Sequence, residues 1–81
     1  MPNVNIPEAD TISFNDFKEG NSIQVRAVVT AAEEQDFNKG KTVTVVHMDH
    51  QTKGKIVSDP IVINESTSEG KKTLSLIVEK E

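Results

Sequence analysis

In the stretch SIQVRAVVTAA, residues 22–32, Ile23, Val25, Ala27, Val29 and Ala31 fall on one side at a period of two. Gln24, Arg26, Val28 and Thr30 fall on the other, mostly polar side. That alternation describes a pleated strand with one buried face, because successive side chains of a strand point to opposite faces. Composition agrees. Val, Ile and Thr contribute 10, 7 and 7 of the 81 residues, against 2 Leu and 4 Ala. Side chains branched at Cβ fit a pleated surface and lose rotamer freedom in a helix. The chain is therefore expected to be built from strands.

Glycine and proline divide the remainder. Residues 1–10 hold two prolines and little periodicity, and read as a flexible N-terminal arm before a single domain, 11–81. Ile12, Phe14 and Phe17 are apolar, and Asn15-Asp16 is expected to cap a short turn of helix before a bend at Gly20-Asn21. EEQDFNKGK, 33–41, reads as a hairpin connection. KTVTVVHMD, 41–49, reads as the second strand, with a phase change at Val45–Val46 that fits a bulge or a strand buried on both faces. HQTKGK is expected to be a turn, IVSD and PIVIN two short extended segments parted at Asp59-Pro60, and ESTSEGKK a polar loop. TLSLIVE, with Leu74, Leu76 and Val78 in phase, reads as the last strand. Five short strands punctuated in this way predict an all-β chain forming a small barrel or sandwich.

Several classes of function are set aside by what is missing from the sequence. There is no cysteine, hence no disulfide framework and no thiolate metal site, which favours a reducing interior and a cytoplasmic location. No apolar run approaches a membrane span, and the N-terminus lacks the pattern of a signal peptide. The four glycines are isolated, so no phosphate-cradling loop is present. Glu33, Glu34 and Asp36 sit too close together in a loop for an acid–base pair. His47, Asp49 and His50 invite a metal-site reading, but no further His or Cys exists to complete a ligand set. Alternation puts His47 and Asp49 on one strand face and His50 on the other. The residues are expected to mark a strand entering a turn capped by Asp49, with both His partly exposed. No catalytic residue, metal or cofactor is expected, and the chain reads as non-enzymatic.

The net charge is −4, yet six of the nine cations flank or follow three glycines, in Lys39-Gly40-Lys41, Lys53-Gly54-Lys55 and Gly70-Lys71-Lys72. Lysine beside glycine is also what polar turns favour on their own account.

Residues 14–56, FNDFKEGNSIQVRAVVTAAEEQDFNKGKTVTVVHMDHQTKGKI, resemble the N-terminal half of OB-fold (oligonucleotide/oligosaccharide-binding) domains of the anticodon-binding or wedge-domain type. Phe17, Gly20, Val25, Val29, Val45, Asp49 and Gly54 stand at the corresponding places. The sequence departs from that pattern twice: Ala27 replaces a mid-strand glycine, and Ser58-Asp59-Pro60 leaves no room for the helix between strands three and four. The resemblance implies a small five-stranded OB-like barrel lacking the usual helix. It also implies a face for single-stranded nucleic acid, flanked by the loops between strands one and two and between strands four and five. Those loops carry Lys39, Lys41, Lys71 and Lys72 as phosphate contacts. Phe37 is either a base stacker or a core plug, and Arg26 and Thr44 would line the face. The competing class is a protein-interaction or structural and regulatory accessory domain, viral or otherwise, acting through exposed β-edges or as a homo-oligomer; the net acidity favours it. Membrane is not expected as a partner.

Overall fold

A computed structural model describes residues 2–66 and 70–81. Among these residues six strands form one sheet: β1 Asn3–Asn5, β2 Ile23–Thr30, β3 Thr42–His47, β4 His50–Ile56, β5 Ile61–Ser66 and β6 Lys71–Lys80. One helix, α1 Thr11–Lys18, precedes β2, and a 3₁₀ turn, Glu34–Phe37, lies between β2 and β3. The pairing order β1-β3-β4-β6-β2 curls into a nearly closed five-stranded barrel, compatible with an OB-like arrangement, and β5 pairs with β6 off this path. Among the described residues no helix is long and apolar enough to cross a membrane.

β6 is the hub. One of its edges takes all of β2, from Ile23↔Val78 to Thr30↔Lys71, while the other is shared by β5 over Lys71–Ser75 and β4 over Val78–Lys80. Between those two partners the backbone of Ile77 is still satisfied. Its carbonyl accepts from Val57 N (2.9 Å), and its N–H donates to Ser58 Oγ (3.1 Å). An edge passed from one strand to another needs such a splice, since buried backbone groups are almost always paired. The core follows the alternation read in the sequence: Ile23, Val25, Ala27 and Val29 from β2 and Leu74, Leu76 and Val78 from β6 are all buried.

Elsewhere the chain departs from the sequence reading, for local reasons. The stretch read as an arm contains β1, which pairs in parallel with β3 and buries Val4, while Ile6 N donates to Val46 O (2.8 Å). The helix is a full α1 capped by Asp10, whose Oδ1 accepts from Ser13 N (3.2 Å), rather than a turn capped at Asn15-Asp16. Its end is a Schellman motif: Gly20 has φ +97°, its N–H reaches Phe17 O, and Asn21 N–H reaches Asp16 O. Only glycine takes that left-handed position without strain.

The connection 31–41 is not a hairpin, since β2 pairs with β6 and β3 with β1 and β4. HQTKGK, read as a turn, is most of β4, and the turn shrinks to Met48-Asp49. Met48 at φ +54° gives the mirror-image type of bend whose twist matches the flanking strands. β3 alternates without interruption, burying Val43, Val45 and His47 on one face, so of the two readings of Val45–Val46 neither the bulge nor burial on both faces is found. The register shift falls instead in β5, between Val62 and Asn64.

Candidate nucleic-acid interface

Pairing of Thr30 with Lys71 sets the end of β2, where the 31–41 connection begins, beside the start of β6. The start of the connection after β2 and the start of β6, which the sequence reading assigned to one face, thus share this point. Their lysines do not gather there as a group. Lys72 Nζ forms an ion pair with Glu34 (3.3 Å). Lys71 adds its charge to the surroundings of Glu33. Lys39 and Lys41 belong to the other end of the connection, which is tied to β4: Gly40 N donates to Ile56 O (2.8 Å) and Ile56 N to Lys41 O (2.9 Å). Ile56 is opposite Val78, and an extended strand from Lys72 to Val78 covers about 20 Å. Four lysines therefore divide into an acid-balanced pair and a separate pair.

That second pair has company. Val43 and Val45 of β3 point inward, so Thr42 and Thr44 point outward, together with their cross-strand partners Lys55 and Lys53. Asn3 lies opposite Thr44 on the other side. The outer face of β1, β3 and β4 is accordingly polar apart from Val46; of the four exposed lysines nearby, Lys53 and Lys55 lie on it, and Lys39 and Lys41 lie in the connection that leads into β3. Among the described residues none of these four has an acidic group within ion-pair distance, although Glu79 is the strand neighbour of Lys55. Sequence reading set Lys53 and Lys55 apart because their segment looked like a turn; only the register brings them alongside Thr42 and Thr44.

The remaining expected residues are distributed as follows. Phe37 is buried in the core cluster, the second of its two readings. Arg26 is exposed on β2, opposite Ser75, and lines a cavity of about 340 Å³ between β1, α1 and β2. The His pair is brought together rather than split across the strand: the two-residue turn makes His47 and His50 direct partners, so both face Phe14. His47 is 3% exposed, not partly exposed, and stacks on Phe14 at 4.6 Å between centroids; His50 lies at 5.8 Å from the same ring. The tautomer with its proton on Nε2 donates to Glu8 O (3.3 Å) and leaves the buried Nδ1 without a partner among the described residues. Asp49 is exposed in the turn. Among the described residues no group of three His, Cys, Asp or Glu side chains is arranged to hold a metal ion.

Glu33 lies just past the end of β2. Its Oε1 accepts from Thr30 N (3.1 Å) and from Thr30 Oγ1 (3.0 Å). Those bonds, the backbone one foremost, hold its carboxyl below the ordinary value of 4.5, with Lys71 adding to them. A lowered carboxylate contributes stability above its unfolded pKa and loses that contribution as pH falls through the folded one. The expected result is a Thr30 amide resonance that moves on acidification below the ordinary glutamate range, and does not move so in Glu33→Gln. An NMR pH titration checks it, and an identical response in both proteins would contradict the assignment.

Comparison with protein families, with curated proteins and with solved structures finds no match to this chain.

Proposed function

We propose that the chain is a non-enzymatic OB-like binding module that holds single-stranded nucleic acid weakly and without sequence preference. The observation that supports this most is Lys53 and Lys55 on an outer sheet face, with Lys39 and Lys41 exposed in the connection that leads into β3 and no ion pair at any of the four among the described residues. Strands two and three of OB-like barrels are the usual oligonucleotide face, and here their counterparts are β3 and β4. With Phe37 buried, no aromatic platform is on offer for bases, so phosphate contact carries the affinity. Such binding is salt-dependent, with log K falling by about 0.7 per neutralised phosphate on a single strand, hence a slope of about −3 for four lysines.

Anisotropy of a labelled oligothymidylate across a salt series tests this. Lys53→Glu with Lys55→Glu is expected to abolish binding, whereas Lys71→Glu leaves it nearly intact. Absence of binding at low salt, or loss only with Lys71→Glu, would overturn the reading.

A second reading is favoured by β5. Ile61, Val62 and Ile63 are 64%, 45% and 47% exposed on a strand that, among the described residues, pairs along one side only. An exposed apolar edge invites another strand, which fits a protein partner or a second copy. Nuclease treatment in a pull-down separates the two: a partner retained after nuclease supports this one.

A further inference from the structure

The barrel is nearly closed, and the place where it does not close has its own chemistry. Among the described residues β1 pairs only with β3 and β2 only with β6, so one backbone edge of each faces the seam without a ladder partner there. Next to the seam lies the cavity of about 340 Å³. Ile6, Pro7 and Val25 give it apolar lining, and Asn5, Asp10 and Arg26 give it polar lining. Ile6 and Val25 are buried core residues, so the cavity reaches down to the core. Arg26 makes no ion pair among the described residues.

Each feature selects the ligand. The volume is at the lower end of the roughly 300–1,000 Å³ typical of ligand pockets, room for a few residues and not for a folded surface. An unpaired strand edge offers alternating N–H and C=O groups, which another extended backbone matches and a sugar-phosphate chain does not. One guanidinium offers a planar fork suited to a single carboxylate. Asp10 in the same lining disfavours a polyanion but accepts a backbone N–H through the oxygen that Ser13 leaves free. A polypeptide end combines all of these: an extended backbone, an apolar side chain and a terminal carboxylate.

We infer that the β1–β2 seam is a docking site for the C-terminal residues of a partner polypeptide. The chain end lies along β2 at Gln24–Arg26, with its last apolar side chain over Ile6 and Val25 and its carboxylate on Arg26. This site is separate from the β3–β4 lysine face and stands or falls without it.

The test uses the N-acetylated tetrapeptide Ser-Val-Thr-Val with a free C-terminal carboxylate, titrated into ¹⁵N-labelled full-length protein. Shifts are expected at Asn5, Ile6, Ser13 and Gln24–Arg26. The C-terminally amidated peptide is expected to bind at least about tenfold more weakly, as is the free acid to Arg26→Gln, because a charge-assisted fork is lost. Arg26→Lys is expected to recover part of the loss. Lys53→Glu with Lys55→Glu leaves peptide binding unchanged, so failure of the nucleic-acid reading is distinguishable from failure of this one. No shift at the seam, shifts elsewhere only, or equal binding of acid and amide would overturn it.

Discussion

Phe17→Ala is expected to bring the domain close to unfolding at ordinary temperature. Phe17 is fully buried, on the last turn of α1, and its ring lies over the backbone of Gly54 in β4. Removing the ring loses its transfer energy and leaves a cavity between helix and sheet, a change that costs about 3–5 kcal/mol. An 81-residue domain at the usual 0.05–0.15 kcal/mol per residue has about 4–12 kcal/mol in all. With three aromatic residues in the chain, each of them buried, the loss falls on a core with few large side chains. At about 4–8 °C per kcal/mol for a domain this size, thermal unfolding should move down by at least about 12 °C. Ile12→Ala, in the same helix but 78% exposed, serves as the control and should change stability by no more than about 0.5 kcal/mol. Equal effects of the two substitutions in urea denaturation would mean that α1 does not dock as described.

What the sequence discloses about this fold depends on how many consecutive residues share one rule. β2 was legible because it has one buried face, so burial wrote a period of two into Ile23–Val29; in β6 the large apolar residues Leu74, Leu76 and Val78 keep that period although Ser75 between them is buried as well. α1 was not. Only Phe14 and Phe17 are buried on it, and two positions three apart do not make a period. β4 was concealed by composition: HQTKGK is polar because its outer face is solvated, and its inner face carries Gly54, which has no side chain to signal burial. β1 has a single inward residue, Val4, between two asparagines.

The candidate site inherits these blind spots. Lysines beside glycines were visible, but which of them share a face is a matter of register. The true neighbour of Lys41 is the end of β4, not the start of β6. The seam cavity was invisible for a related reason: its residues come from β1, α1, the connection between them and β2, and of these only β2 was read as a regular element. Histidine is the instructive case. Alternation along one strand separated His47 from His50, but a turn of two residues folds the chain back, so positions three apart become cross-strand partners.

Gly54→Ala carries the second large effect, and its sign depends on contact rather than conformation. Inside a strand, glycine is usually the weaker choice, so alanine would ordinarily be neutral or better. Here a Cβ would meet Val45 Cγ2 at 3.0 Å and two carbons of the Phe17 ring at 3.1 Å. Both neighbours are fully buried, so neither can yield without disturbing the interior behind it. Overpacking of this kind costs about 1–3 kcal/mol, more than alanine's backbone advantage returns. The residue thus sets how closely α1 approaches β4, and through it how well the helix covers that part of the barrel. Gly54 and Phe17 are therefore expected to be energetically coupled. In the Phe17→Leu background the ring is gone and the alanine methyl has somewhere to go, so the same substitution should cost less by about 0.5 kcal/mol or more. Urea denaturation of the wild type, both single variants and the double variant measures that difference. Strict additivity would show that Gly54 is kept for reasons other than the ring that covers it.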